Sequence, residues 1–500
     1  MNTAIRRGLI VALGLGLQIG FWLFVFFFLD EQFELISAFL DIIGAFVVLN
    51  IIRDSRKLSN DIPWIILILV FPIFGTVLFL ITRSNLKTSQ LFNNIIKEEK
   101  KNKNYLVQDE KIKKEIKREN LDVLNYLVNN TNYPVTKNNK VIYYDFGEKF
   151  YLEYLKELKK AKKFIFMEYF IIDDGKMWRG ILEILKEKAK EGVEVRLIYD
   201  DVGSLSMLPE NFPKVLGKFG IKCIPFNKIS PLKGLFMNNR DHRKMTIIDG
   251  KVAFSGGLNL ADEYINEVSR FGTWKDNAIK IEGGAILNLT VMFLNLWNAN
   301  LKTDSSYEKY LIKSTVNTED GLVLPYGLSP VYDELIGEDV YINMINSAKD
   351  YLYIMTPYLI VDTDMENALI RAAKRGVDVN IVVPGIPDKK LVYTLTTSFF
   401  EVLHKNGVKI HIYKKGFVHA KMFVVDDKRA VVGTINLDYR SLYLHFENGV
   451  YLENVSEIKA MKKDFEDTFK DCKILEDKDV KTGIFKASWQ AILRLFAPLL

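Results

Sequence analysis

"DHRKMTIIDGKVAFSGGLN", Asp241 to Asn259, is answered later in the chain by "VHAKMFVVDDKRAVVGTIN", Val418 to Asn436. His-x-Lys recurs at an offset of 177 residues, each time with an Asp five positions after the Lys. A Gly (256 or 433) then leads to an Asn (259 or 436) at a constant distance. Strand periodicity places His242 with Lys244, and His419 with Lys421, on one face of a predicted strand that ends at Asp249 or Asp426. One such pattern is weak evidence. Two in matching contexts are strong.

The contexts do match. "KKFIFMEYFIIDD" reads as a strand, "MWRGILEILKEKAKEG" as a helix and "VEVRLIYDDVGS" as a second strand and loop. "KDYLYIMTPYLIVDTD", "MENALIRAAKRG" and "VDVNIVVPGIPD" repeat that order before the second His-x-Lys. Tyr169 corresponds to Tyr358, and Gly192 at the helix end to Gly376. The period is too long for a solenoid, so the fold expected is a duplicated α/β domain with mixed sheets flanked by helices. The halves are expected over residues 136–310 and 311–475, packed with pseudo-symmetry.

Each half brings one histidine, one lysine and one asparagine, which together suit an oxyanion. A buried Lys without an anion is costly. A metal centre would need more His, Cys or carboxylate ligands per half, and Lys is a poor neighbour for a divalent cation. No metal and no cofactor is expected. Phosphate is the natural ligand, with Lys244, Lys421, Asn259 and Asn436 as candidate phosphate-binding groups. The candidate catalytic set is His242, Lys244, Asp249, His419, Lys421 and Asp426, with the two Asp expected to bond near strand ends.

The rest of the chain reads differently. "GLIVALGLGLQIGFWLFVFFFL" (Gly8–Leu29) has no charge over 22 residues, enough to cross about 30 Å of hydrocarbon. It is longer than a signal-peptide core and lacks a small-x-small cleavage site. Apolar runs follow at Leu35–Ile52, containing Asp41, and at Ile62–Ile81, where Pro72 and Gly75 favour a kink or a turn back. Residues 1–85 are therefore expected to form a membrane module with two or three transmembrane helices. Arg6, Arg7, Arg53, Arg56 and Lys57 place the N-terminus and the second loop in the cytoplasm. Three crossings would put the remainder outside, whereas the Lys-rich segment Lys97–Asn120 favours inside, so the side stays open. That segment, within a basic linker at 86–135, reads as a solvated linker or helix. "IFKASWQAILRLFAPLL", within 476–500, reads as an amphipathic membrane-associated helix.

A chain of 500 residues with net charge +6 suits anionic lipid or nucleic acid without selecting either. Cys223 and Cys472 cannot build a disulfide framework.

These motifs resemble the phospholipase D superfamily, and the longer pattern is similar to bacterial cardiolipin synthases. The similar elements include "NNRDHRKMTIIDGKVAFSGGLNLADEYI", "WKDNAIKIEGGAILNL", "MTPYLIVD", "GVDVNIVVPGIPDKKLVY" and "GFVHAKMFVVDDKRAVVGTINLDYRSLYLHFE". "NDIPWIILILVFPIFGTVLFLI" resembles the membrane module of that family. Two departures stand out: Thr434 where the first half has Gly257, and "YLHFE" where many members have Asn before Phe-Glu. Both are expected to stay clear of the catalytic groups.

The resemblance implies phosphatidyl transfer through a phosphohistidine, with His242 as nucleophile, His419 as acid and base, and Asp276 and Glu447 orienting the histidines. It implies two phosphatidylglycerol molecules as donor and acceptor, no nucleic acid partner, and a multi-pass location in the bacterial cell membrane. A homo-oligomer is left open. The alternatives are a membrane-bound phospholipase D that hydrolyses phospholipids, an endonuclease on the same scaffold, and a non-catalytic scaffold protein.

Overall fold

The computed structural model describes residues 33–55, 57–88, 90–228, 239–301, 306–312 and 320–499, together with 16, 20, 316 and 318. The chain divides into two compact units. One contains the described residues up to 90 and from 491 onward, and the other spans 91–228 and 239–490.

In the first unit, helices span Phe33–Asp54, Leu58–Val70 and Pro72–Thr88. Val48, Ile51, Ile68 and Phe79 form a small buried cluster, with Trp64 edge-on to Phe79 at 5.7 Å. The apolar run Ile62–Ile81 is two helices broken at Phe71–Pro72. Gly75 permits their close return, since a Cβ there would lie 2.6 Å from the Leu67 carbonyl oxygen. The 13-residue helix Leu58–Val70 measures about 20 Å, short of a bilayer core. Helix Phe33–Asp54 carries Asp41 and Asn50 and ends in the Arg53–Asp54 ion pair. Among the described residues no helix is long and apolar enough to cross a membrane, and the third run turns at Pro72 as its sequence favours. The first run, Gly8–Leu29, lies outside the described residues apart from positions 16 and 20. Leu35, Phe39, Ile42, Phe46 and Leu49 are exposed at helical spacing and form an apolar stripe.

The second unit contains both halves. The first contributes β1 (Asn139–Tyr144), β2 (Phe164–Tyr169), β3 (Glu194–Asp200), β4 (Lys222–Phe226), β5 (Met245–Ile248), β6 (Val252–Gly256), β7 (Thr273–Lys275) and β8 (Ala278–Gly283). The second contributes β9 (Leu322–Leu328), β10 (Tyr351–Met355), β11 (Asp378–Pro384), β12 (Lys409–Tyr413), β13 (Gly416–Val418), β14 (Met422–Val425), β15 (Arg429–Gly433), β16 (Glu447–Glu453) and β17 (Cys472–Ile474). The sheet orders are β1-β8-β6-β5-β2-β3-β4 and β17-β12-β11-β10-β14-β15-β16-β9. Read in opposite directions they coincide, with β17 added. The α/β duplication expected from the sequence is present, with mixed sheets: β2 pairs β3 in parallel and β5 antiparallel.

Helix Lys176–Lys190 shows why the βαβ unit closes. Met177, Trp178, Ile181, Ile184 and Leu185 recur at helical spacing and are all buried, while Lys176 and Lys190 are exposed. The Lys97–Asn120 region takes the helical alternative and packs its few apolar side chains. Helices Gln90–Asn102, Glu110–Arg118 and Asp122–Asn130 bury Phe92, Ile95, Ile116, Leu124 and Leu127. Tyr126 donates a 2.7 Å hydrogen bond to Asp339, tying this segment to the second half.

The halves interlock through their backbones. β7 of the first half pairs in parallel with β13 of the second. His242 N–H donates to the Phe446 carbonyl at 2.8 Å, and His419 N–H donates to the Lys275 carbonyl at 2.7 Å. His242 and Lys244 therefore lie on an extended arm just before β5 rather than within a strand, and His419 and Lys421 precede β14 likewise. Up to its histidine, each arm bonds to the other half.

Candidate active site

Asp249 and Gly250 turn with φ of 54° and 65°, and Asp426 with 52°. This left-handed geometry suits Asp and Gly and closes each β5–β6 or β14–β15 hairpin. The Asp249 carboxylate accepts from the backbone N–H groups of Lys162, Lys163 and Phe164 at 2.7–2.9 Å. Asp426 accepts from Lys349, Asp350 and Tyr351 at 2.8–2.9 Å. Counted in the candidate catalytic set, both instead pin the hairpin to the start of β2 or β10. Their carboxylates are spent on backbone donors.

The histidines are oriented crosswise. His242 Nδ1 lies 2.9 and 3.0 Å from the two carboxylate oxygens of Glu447, which belongs to the second half. His419 Nδ1 lies 2.7 Å from Oδ2 of Asp276, in the first half. Each His-x-Lys arm pairs with the residue next to the other half's acid, Phe446 before Glu447 and Lys275 before Asp276, so the backbone exchange and the side-chain exchange are one feature. A carboxylate at Nδ1 holds the N–H there and leaves Nε2 as the basic nitrogen.

Lys244 donates to the carbonyl of His242 at 2.6 Å, and Lys421 donates to the carbonyl of His419. Both ammonium groups are buried. Burial pushes Lys244 down to about 7, with Glu447 opposing and Lys421 adding to the effect. Lys421 is pushed down to about 8 by burial, against the pull of Asp276 and Glu447. Burial, then Lys421, takes His419 down to about 4. His242 is held well below its ordinary value by burial, Lys244, Lys421 and His419. The Asp276 carboxyl is raised by burial but lowered more by His419 and Lys421, and stays below its usual range. Burial leaves Glu447 raised although His445, Lys244 and Thr434 oppose it. Burial is the first cause of each lysine and histidine shift, both lysines depress both histidines, and Asp276 and Glu447 oppose the loss of charge on the lysines.

The two asparagines are placed differently. Asn259 Oδ1 accepts from Ile171 N–H at 2.9 Å, and its Nδ2 donates to Tyr264 OH at 2.7 Å, which leaves one amide N–H. Asn436 Oδ1 is buried with no hydrogen-bond partner among the described residues. That oxygen is an acceptor, so a ligand that satisfies it must bring a donor such as a hydroxyl.

Several neighbours were not singled out from the sequence. Phe170 stands edge-on to His242 at 4.9 Å, while Trp274 and Tyr264 flank His419 at 5.2 and 5.4 Å. Their signal was present in "EYF", "WKD" and "ADEYI", but aromatics flanking a strand read first as core. Thr434 corrects an expectation: its hydroxyl donates to Glu447 Oε2. Gly257, its counterpart, sits so near Asp276 that a Cβ would fall 2.1 Å from Oδ1. His445 corrects it too, with its ring centroid 5.7 Å from that of His242.

Comparison with known proteins follows the same halves. The family described as "Cardiolipin synthase, PLD-like domain" matches residues 154–282 and 341–469. A cardiolipin synthase of Clostridium perfringens is 34% identical over 458 residues, covering 89% of this chain and 95% of the relative. An uncharacterized protein of Streptococcus mutans is 44% identical over 462 residues, covering 91% and 99%. The crystal structure of phosphatidylserine synthase from Haemophilus influenzae matches with a TM-score of 0.57 at 14% identity, covering 72% of this chain and 93% of that one, and so shares the fold.

Proposed function

The chain belongs to the cardiolipin synthase family of phospholipase D-like proteins, and on that premise we propose that it is a phosphatidyltransferase joining two phosphatidylglycerol molecules into cardiolipin and glycerol. The observation that carries the reading is the crossed pair of His–carboxylate contacts around two buried lysines.

In the first step His242 Nε2 attacks the phosphorus of one phosphatidylglycerol, and the bond from phosphorus to the glycerol headgroup oxygen breaks. Protonated His419 gives its proton to that oxygen, and glycerol leaves. In the second step the headgroup hydroxyl of another phosphatidylglycerol gives its proton to His419 and attacks phosphorus, and the bond to His242 breaks. One phosphodiester replaces another, so the reaction is reversible and consumes no nucleotide. Lys244, Lys421, Asn259 and Asn436 hold the non-bridging oxygens, where their charge and N–H groups balance what develops in the transition state. The substrate's own negative charge offsets the repulsion among the cations, and so raises the histidine that must enter protonated.

Lipid chemistry also suits the exposed apolar faces. The stripe from Leu35 to Leu49 and the side chains of Ile484, Phe485 and Trp489 on helix Ile484–Phe496 are open to contact. We assign both to the membrane surface, where they keep the enzyme beside its substrates. The localisation proposed is the bacterial cell membrane.

The test is lipid analysis after incubating purified protein with phosphatidylglycerol alone. Cardiolipin and glycerol in equal amounts are expected. Phosphatidic acid with glycerol would instead make the enzyme a hydrolase, and lipid inertness with DNA cleavage would make it a nuclease. Chelator is expected not to lower turnover, because Lys and Asn supply the positive character at phosphate.

A further inference from the structure

His445 has no counterpart in the first half. Counting back two positions from the orienting acid gives Trp274 before Asp276 and His445 before Glu447. Neither ring nitrogen of His445 has a hydrogen-bond partner among the described residues, although the side chain is 10% exposed. Its Nδ1 lies 3.7 Å from Glu447 Oε1, beyond hydrogen-bond distance, while His242 Nδ1 lies 2.9 Å from that same oxygen. One ligand atom each from His242, His445 and Glu447 lies within 4.8 Å of the others. Zinc bonds of 2.0–2.2 Å in a tetrahedron place ligand atoms about 3.3 Å apart, so a small closure of this trio suffices.

We propose that His242, His445 and Glu447 form a zinc-binding site that switches the enzyme off. Two imidazole nitrogens and one carboxylate oxygen are a borderline-soft set suited to Zn²⁺, with a fourth position left for water. The binding stands on geometry alone, while the inhibition rests on the transfer chemistry proposed above. Zinc takes the Nδ1 lone pair of His242, and the ring proton moves from Nδ1 to Nε2 with no net release. Nε2 then carries N–H and has no lone pair with which to attack phosphorus. The lysines nearby weaken the site by repulsion, and zinc and the substrate's phosphorus compete for His242.

The full chain in detergent would be titrated with Zn²⁺ in competition with a chromophoric chelator, without substrate, alongside His445→Asn. One equivalent bound by wild type and lost in the variant is expected, with two imidazoles in the zinc-edge X-ray absorption spectrum of wild type. One equivalent should also lower phosphatidylglycerol transfer at least ten-fold, reversibly with chelator, and inhibit the variant far less. Failure of wild type to bind zinc, binding of equal strength by the variant, or transfer unaffected by bound zinc would overturn the proposal. Zinc bound as expected to a protein without transferase activity would keep the site and refute the function.

Discussion

His242 and His419 are held by carboxylates from the opposite half, and this sets what each substitution should do. Glu447→Gln should disturb His242 although Glu447 lies 28 residues after His419 in the chain. Turnover is expected to fall about 10²-fold or more with KM little changed, because tautomer and ring orientation are lost while lipid binding persists. In ¹⁵N-histidine spectra the ring signals of His242 should move and those of His419 stay, with the reverse for Asp276→Asn; an effect on the histidine of the same half would refute the crossing. The charges give a second expectation. Lys244 near 7 and Lys421 near 8 are partly unprotonated at neutral pH, and both histidines are neutral. An anion placed among them raises every one of these values, so the bound state holds more protons than the free state. Calorimetric titration with orthophosphate at about pH 7.5, inside the lysine window, should show proton uptake as a heat that varies with buffer ionisation. Buffer-independent heat would contradict the assignment. The histidines and lysines were legible because the pattern occurs twice. The crossing was not, since spacing along the chain does not say which ring an acid faces, and Thr434 and His445 were misread for the same reason.

At the scale of elements, the hairpin aspartates separate scaffold from chemistry. Asp249→Ala removes three hydrogen bonds from a carboxylate to the N–H groups opening β2. A loss of about 2–4 kcal/mol in stability is expected, with turnover per folded molecule close to normal. Denaturant unfolding combined with active-site titration checks this. Normal stability with lost turnover would return Asp249 to the reacting groups. Strands β2, β3, β10 and β11 were readable as short apolar runs buried on both faces, and the helices between them from one apolar stripe each. The His-x-Lys arms were read as strands because alternation is the same for an extended segment that pairs elsewhere. Lys97–Asn120 was read as solvated because its charges outnumber Ile116 and its few apolar partners, yet those few are what pack.

For the whole molecule, duplication was plain and the membrane crossings were not. Apolar composition does not distinguish a spanning helix from a broken pair that folds back, and the third run is broken at Phe71–Pro72. The arms of the two halves, their acids and their lysines converge on one centre, and each histidine faces a carboxylate of the other half. Transfer by His242→Ala, His419→Ala and the double variant, each shown to be folded, tests this most directly. The account predicts that each single change abolishes cardiolipin formation from phosphatidylglycerol and that the double change is no worse, because the two histidines act in one reaction. Near-normal transfer in either single variant would show that one half is only a support, and would contradict the shared site.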